Sequence, residues 1–451
     1  MGRPVEGNDR GSEPEDRPPA SALHRRGGTP VRADRPALSE AVAEPDITVD
    51  ILVVGSGAAG LSAALALANS GYKVAAVGAL EAAGNGRTVA LFEGSLRFLR
   101  SQKLWPHLSD IAAKIVAIEL IDATNAPVPI QNLTFAAEEI GLQALGANIE
   151  NSKLVPRLAD LALQNPNIHL TEEWLDDIVY GEDDVSAHFT SGRRITAKLI
   201  VAADGQRSTV RQKAGIGTRR WTYPQVALTA LLAHELPHHD RSIEFHTRSG
   251  PCTLVPLLPK ADAPHRSSLV WLISAAEAQR RKALAAADLA AEITGEVEEI
   301  FGAMRLDSEA GFFPMAGMRV AHLTGRRIAL LGEAAHAFPP LAAQGLNLSL
   351  RDISALVSCV DAARAAGQDI GGAAPLRRYA AAREPDIDIR IRGVDVLNRS
   401  MLTDFLPVDL ARGLGSFAIS AIGPLRRAAL LEGILPERSR PRLHRAPTHL
   451  S

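Results

Sequence analysis

An α/β protein with a parallel sheet, an inserted antiparallel sheet and a helical C-terminal segment is what this 451-residue sequence predicts. Three observations carry that prediction. Val49 to Val77 reads as strand, glycine turn, helix and strand; segments of strand character separated by glycine, proline and charge run from Trp221 to Ser274; and a second strand–turn–helix passage runs from Arg327 to Val360.

Length and composition bound the rest. The chain is long enough for two domains plus appendages, and its hydrophobic fraction of 46% supplies a large core. A formal charge of -2 argues against nucleic acid as the main partner, because phosphate backbones require a basic face. Cys252 and Cys359 stand far apart with no C-x-x-C, so no disulfide framework or zinc cluster is expected, and a reducing, cytoplasmic setting is. No run of eighteen apolar residues predicts a transmembrane helix. Residues 1–46 mix Arg, Asp, Glu, Pro and Gly and read as a disordered tail; Glu13, Glu15 and Asp16 speak against an Arg-rich targeting peptide.

The first unit opens on Ile51-Leu52-Val53-Val54, a short buried strand, followed at once by Gly55-Ser56-Gly57-Ala58-Ala59-Gly60 with G-x-G-x-x-G spacing. Gly55 permits the sharp turn, Gly57 lets a pyrophosphate approach the backbone, and Gly60 lets the helix pack close to the strand. Free N–H groups at the helix start, Ala59 among the residues there, favour an anion without any lysine. The helix Leu61 to Ser70 stops at Gly71, and Val74 to Val77 is the second strand. A dinucleotide site is therefore expected. The carboxylate that ordinarily ends such a second strand and binds a ribose is missing: Gly78 stands there, Glu81 is the nearest acid, and either Glu81 or water reaches the ribose.

Farther along, Arg87 follows the loop Gly84-Asn85-Gly86 and reads either as a contact to a phosphate or bound flavin or as a solvated loop arginine. Leu96 to Trp105 reads as helix. Between Ile115 and Gln143, short apolar runs broken by Pro127, Pro129, Asn132 and Gly141 read as strands of the inserted domain. After a helix over Lys153 to Gln164 and a strand over Ile168 to Leu170, Leu199-Ile200-Val201-Ala202 returns to the parallel sheet and ends at Asp204-Gly205; Ser208 caps the next helix, which carries Arg211. Asp204 reads equally as a ligand contact and as a local turn residue.

Val226 to Ala233, Ser242 to His246, Cys252 to Leu258 and Ser268 to Ile273 suggest an antiparallel sheet, the natural wall of a substrate pocket. Ala278 to Phe301 reads as one amphipathic helix. His234, His238 and His239 lack metal-ligand spacing and read as loop residues, so no metal site is expected.

The third observation decides between cofactors. Ile328-Ala329-Leu330-Leu331 is a strand, Gly332-Glu333-Ala334-Ala335-His336 its turn, Pro339-Pro340 an extended segment, and Gln344-Gly345-Leu346-Asn347 opens a long helix. A second helix start is thus aimed at the same crevice. Reducing a flavin places negative charge at its N1 and C2 oxygen, which a helix N-terminus stabilises by about 0.3–1 kcal/mol, whereas a nicotinamide carries no such charge. FAD is therefore favoured over NAD as the tightly held cofactor. His336 lies near the flavin by position and reads first as a structural histidine.

From Ile391 onward the chain is mostly helical and apolar. Phe405-Leu406, Leu410, Leu414, Phe417, Ile419 and Ile422 precede Arg426, Arg427, Arg438, Arg440, Arg442 and Arg445. This end reads either as an interfacial helix against anionic lipid, peripheral at the inner membrane face, or as a helix packed on the core with a soluble tail.

Taken together, Gly55 to Gly60, Ala203-Asp204-Gly205 with Arg207-Ser208, and Gly332 to Asp352 resemble the FAD-dependent class A flavoprotein aromatic monooxygenases. Within that class the chain resembles the ring hydroxylases of ubiquinone biosynthesis over roughly residues 48–400, supported by Arg87-Thr88-Val89-Ala90-Leu91, Asn148-Ile149-Glu150-Asn151, Trp221-Thr222-Tyr223-Pro224-Gln225, and Gln344-Gly345-Leu346-Asn347-Leu348 before Arg351-Asp352. The resemblance implies a Rossmann-like FAD-binding domain over 47–114, 152–218 and 317–370, a substrate domain over 115–151 and 219–316, and a C-terminal helical segment over 371–451. It implies that Gly55, Gly57 and Gly60 hold the pyrophosphate, that Arg87 contacts FAD, and that Asp204-Gly205 serves both FAD and an incoming nicotinamide. Gly332-Glu333 is implied at the ribityl or pyrophosphate part, and Gly345-Leu346-Asn347 at the isoalloxazine. Three positions depart from the pattern: Gly78 replaces an acid, Glu333 an aspartate, and Ala343 a glycine.

The expected chemistry is hydroxylation of a polyprenylated phenol by O2 through a flavin C4a-hydroperoxide, with electrons from NAD(P)H or a protein donor and no catalytic base assigned. Two rivals stay open: a soluble hydroxylase of a small phenolic compound, and a non-catalytic FAD-binding subunit of a ubiquinone-biosynthesis complex. A flavin halogenase is disfavoured, because W-x-W-x-I-P is absent and only Val270-Trp271-Leu272 comes near it.

Overall fold

Apolar runs without a polar alternate become strands covered on both faces, which is how a parallel sheet is buried. The computed structural model describes residues 46–79, 86–123, 132–247, 250–339, 344–401 and 422–436, all in the unit that begins at Ala43. The tail before residue 46, Glu81, Pro127, Pro129, Ala343, the run Phe405 to Ile419, and Arg438, Arg440, Arg442 and Arg445 lie outside the described residues.

The parallel sheet orders its strands Ile328–Leu330, Arg194–Ala202, Ile47–Val54, Val74–Val77 and Ile168–Thr171, each parallel to its neighbour. Ile51, Leu52 and Val53 are fully buried at its centre, each contributing about 1.5–3 kcal/mol. Helices Ala58–Asn69 and Gln344–Ala365 pack against each other beside this sheet, and the helix Ala373–Met401 packs on the latter.

The second, mostly antiparallel sheet runs His336–Ala337, Gly311–Val320, Thr218–His234, Arg266–Ser274, Gly250–Leu257, Arg241–Thr247, Ala117–Asp122 and Leu133–Ala136, with Arg241–Thr247 and Ala117–Asp122 paired in parallel. The expected division at residue 316 therefore falls inside the strand Gly311–Val320, and the one at 114 inside Ala112–Ile115. A separate small sheet joins Thr88–Phe92, Gly146–Glu150 and Ala112–Ile115. It is tied to the large one by polar side chains: Asn148 Nδ2 donates to the carbonyl of Pro256 at 3.0 Å and to Ser268 Oγ at 3.1 Å, and Thr88 Oγ1 donates to Ser268 Oγ at 2.9 Å. Beside them Arg266, with no exposed surface, pairs with Glu150 at 3.0 Å and Asp307 at 2.7 Å.

Two helix expectations are corrected. The stretch expected as one helix over Ala278 to Phe301 is two, Ala275–Lys282 and Ala286–Glu296. Ala285 is extended, and Arg280 and Arg281 fold the second helix back by pairing with Glu292 at 2.5 and 2.9 Å. The helix expected over Leu96 to Trp105 is Glu93–Ser101; Lys103 has φ 58, a left-handed conformation that ends it.

Candidate functional site

Strands that run parallel end at one edge of their sheet, so the turns that follow them share that edge. Ile47–Val54 leads into Gly55–Gly60, Arg194–Ala202 into Ala203-Asp204-Gly205, and Ile328–Leu330 into Gly332-Glu333-Ala334. Three sequence-predicted clusters are thereby brought together.

The glycines divide by what a side chain would meet. Gly55 has φ +118, and a Cβ there would lie 2.3 Å from the carbonyl oxygen of Ala203; a Cβ on Gly60 would lie 1.8 Å from the carbonyl oxygen of Gly55. These two close the fold. Gly57 is exposed, and a Cβ on it meets nothing within 4 Å. It is the N-cap of the helix Ala58–Asn69, which has no side-chain cap and no acid in its first turn. That start borders open space at Gly57, and no side chain of its first turn compensates its positive dipole end.

The second helix start stands beside the first. Gly332, at φ +57, is held between the two helices: its Cβ position lies 3.5 Å from Ala59 Cβ and 2.9 Å from Ser349 Oγ. At the head of Gln344–Ala365, Gly345 is exposed with nothing within 4 Å of a Cβ, and Leu346 is half-buried. The Asn347 side chain fastens this start to the small sheet: Oδ1 accepts from the Phe92 N–H at 3.0 Å and Ser95 Oγ at 2.6 Å, and Nδ2 donates to the Ala90 carbonyl at 2.8 Å.

The remaining predicted residues fall around these starts. Asp204 Oδ2 accepts from the Val210 N–H at 3.1 Å, whereas its Oδ1 is buried without a hydrogen-bond partner among the described residues. Burial pushes the Asp204 carboxyl up, against hydrogen bonds from Ser208 and Val210 that lower it. Gly205 takes φ +75 in the turn. Arg87 is exposed, its guanidinium 5.5 Å from the centre of the Phe313 ring. Glu333 is exposed in the short turn Gly332–Ala334. Gly78 has φ +150, and a Cβ there would come 2.9 Å from Ser56 N and 2.7 Å from Ser56 Oγ; Ser56 Oγ itself bonds the Ala79 carbonyl. The glycine turn rests on the end of the second strand, which explains why no acid stands at that place.

Two sets of contacts escape the sequence reading, which has Asp352 only as the end of a resembling segment. The first is polar. Asp352, with no exposed surface, accepts from the Gly332 N–H at 3.2 Å, pairs with His336 Nε2 at 2.7 Å and accepts from Arg383 Nε at 2.7 Å. Burial alone would raise its carboxyl, but the charges and hydrogen bonds of His336 and Arg383 hold it at about 2. His336 is thus a structural histidine, as expected. The second group is apolar: Ala227, Leu272 and Met315 of the antiparallel sheet form a cluster with Phe313, Tyr223, Phe338 and Val394. Phe338, two residues past His336, packs against both this cluster and the core around the parallel sheet. The adjacent charges Arg351-Asp352 among Leu348, Leu350 and Ile353 were the available signal for Asp352; the aromatics of the apolar wall carry none, because aromatics in and beside strands are ordinary core residues.

These residues fit a flavin dinucleotide: two uncapped or open helix starts at one sheet edge, two exposed glycines with free space before them, and one buried carboxylate oxygen without a partner. The FAD binding domain family matches residues 48–386. The chain belongs to that family. FAD is its cofactor, and the flavoprotein is an FAD-dependent monooxygenase. It is 32% identical over 407 residues to ubiquinone hydroxylase UbiL of Rhodospirillum rubrum, covering 89% of this chain and 92% of the relative. It is 30% identical over 390 residues to 3-demethoxyubiquinol 3-hydroxylase of Escherichia coli, covering 84% and 97%. Among solved structures, p-nitrophenol 4-monooxygenase PnpA of Pseudomonas putida superimposes with a TM-score of 0.72 at 19% identity, covering 88% of this chain and all of that one, a likeness of fold.

Proposed function

We propose that the flavoprotein hydroxylates the aromatic ring of a polyprenylated phenol in ubiquinone biosynthesis. The observation that carries this reading is the near full-length similarity to two ubiquinone-pathway hydroxylases, on a crevice whose second wall is apolar and aromatic. When bound, FAD supplies the activation of O2 and the oxygen transfer. The chain supplies placement. Gly57 and Ala59 hold the diphosphate at the first helix start, in the turn that Gly55 and Gly60 close, and Gly332-Glu333 lies along the ribityl chain. Asp204 Oδ1 accepts from a cofactor hydroxyl, with Gly205 beside it. Gly345, Leu346 and Asn347 direct backbone N–H groups at the ring edge where reduction places negative charge. Phe313, Met315 and Phe338 orient the substrate ring and exclude water. Electrons come from NAD(P)H or a protein donor.

A lipid-tailed substrate is met at a membrane surface. No helix among the described residues is long and apolar enough to cross one. Supporting a peripheral contact, Ile422 and Leu425 are 50% and 43% exposed at the start of the helix Gly423–Ile434, next to exposed Arg427.

A second reading rests on Arg87. Its guanidinium stands over Phe313 beside the apolar wall, where it would pair with the carboxylate of a small phenolic acid. Deleting the gene and profiling quinones separates the two: loss of ubiquinone with build-up of a precursor lacking one hydroxyl supports the proposal. Unchanged ubiquinone rejects it.

A further inference from the structure

The helix Ala373–Met401 reaches the crevice from behind. Tyr379, Arg383 and Asp386 fall on one face at spacings of four and three, and all are buried. Tyr379 Oη donates at 2.7 Å to the carbonyl of Leu330, two residues before Gly332. One turn on, Arg383 Nε donates to Asp352 Oδ1 at 2.7 Å and Nη1 donates to Asp386 Oδ2 at 2.8 Å. Asp386 also binds Arg351 of the helix Gln344–Ala365, at 3.0 Å. The helix therefore grips the Gly332 turn on its strand side directly and on its far side through Asp352, whose other oxygen holds the Gly332 N–H and His336.

Stability alone does not call for this arrangement, since apolar side chains of similar volume would anchor a helix as well as a buried ion pair. What charges add is direction. Gly332 is in a left-handed conformation between two helices, and its N–H points where Asp352 Oδ2 accepts it. His336-Ala337 pairs in turn with Met318-Arg319, so a shift of this segment also moves the strand that carries Phe313 and Met315.

Resting on the FAD reading above, we propose that Asp352 is a positioning residue for the cofactor crevice, set by Arg383. The helix Ala373–Met401 is then part of the FAD site and not an appendage to it. The family match, which ends at residue 386, takes in all three gripping residues.

The full-length protein, freed of FAD, is titrated with FAD by flavin fluorescence, and thermal unfolding of the same apoprotein samples is recorded alongside. Arg383→Met is expected to weaken FAD binding about tenfold or more, and Arg383→Lys to recover part of that loss. Asp352→Asn should weaken it comparably. The double variant Asp352→Asn/Arg383→Met should lose little beyond the worse single one, because both act through one turn. Should Asp352→Asn alone fail to fold around an arginine left with Asp386 as its one carboxylate, the two Arg383 variants carry the test. Folded variants that unfold at lower temperature yet bind FAD within about twofold of wild type overturn the proposal, as do single losses that add in full. Wild-type protein that takes up no FAD overturns the cofactor reading as well, which distinguishes the two failures.

Discussion

Alanine at Gly57 should harm the ligand and spare the fold. The backbone there, φ -75 and ψ 179, is open to any residue, and a Cβ meets nothing within 4 Å. The apoprotein therefore loses only the N-cap preference of glycine over alanine, about 0.5–1 kcal/mol. On the ligand side, the added methyl occupies the space through which a diphosphate reaches the helix-start amides. Stretching charge-assisted hydrogen bonds there costs about 1.5–3 kcal/mol, roughly a ten- to hundredfold rise in the FAD dissociation constant. Gly60→Ala should do the reverse. Its Cβ would lie 1.8 Å from the Gly55 carbonyl oxygen, and restoring contact distance requires a backbone shift of more than about 1 Å, at about 1–3 kcal/mol of apoprotein stability. The assay is FAD titration by fluorescence beside thermal unfolding without FAD. Unchanged FAD affinity in Gly57→Ala, or apoprotein destabilised as much as in Gly60→Ala, would refute the division of the glycines.

Other outcomes follow from the buried charges and the apolar wall. The Asp352 carboxyl sits at about 2 in the folded chain against an ordinary value of 3.8, so its contribution is complete above that value and is lost as pH falls toward 2, about 2 kcal/mol in all. Acid unfolding followed by circular dichroism should show a shallower slope in Asp352→Asn than in wild type. Arg266→Met leaves Glu150 and Asp307 with only the partly exposed Lys153 and Lys260, at 2.8 and 2.9 Å, and denaturant unfolding should report a loss of about 1.5–3 kcal/mol. Phe338→Ala opens the contact between the apolar wall and the parallel-sheet core; FAD should still bind, while product formed per reductant oxidised falls, measured by product and peroxide assays.

Legibility followed locality. The strand Ile51–Val54, the glycine turn and the helix behind it were readable because each depends on neighbours within a few residues: apolar runs make buried strands, and only glycine tolerates the φ of Gly55. The second helix start was readable for the same reason, and its meeting with the first at one edge followed from parallel strand order. What could not be read depends on distant partners. The break between Ala275–Lys282 and Ala286–Glu296 is made by ion pairs across the two helices, with no glycine or proline to mark it. The fit of Gly78 against Ser56 is a contact between strand end and turn that no spacing rule expresses. Asp352 and Arg383 lie 31 residues apart and acquire meaning only once their helices pack. Phe313 lies in the strand Gly311–Val320 and Phe338 just past His336–Ala337, and both were indistinguishable from core aromatics.

The most direct test of the central claim, that two helix starts at one sheet edge share a single FAD, is an experimental structure of the FAD-loaded protein. The account predicts the diphosphate within hydrogen-bonding distance of the amides following Gly57 and the reducible ring edge at the amides of Gly345 and Leu346. FAD lying away from either helix start, or crossing the sheet at its opposite edge, would contradict it.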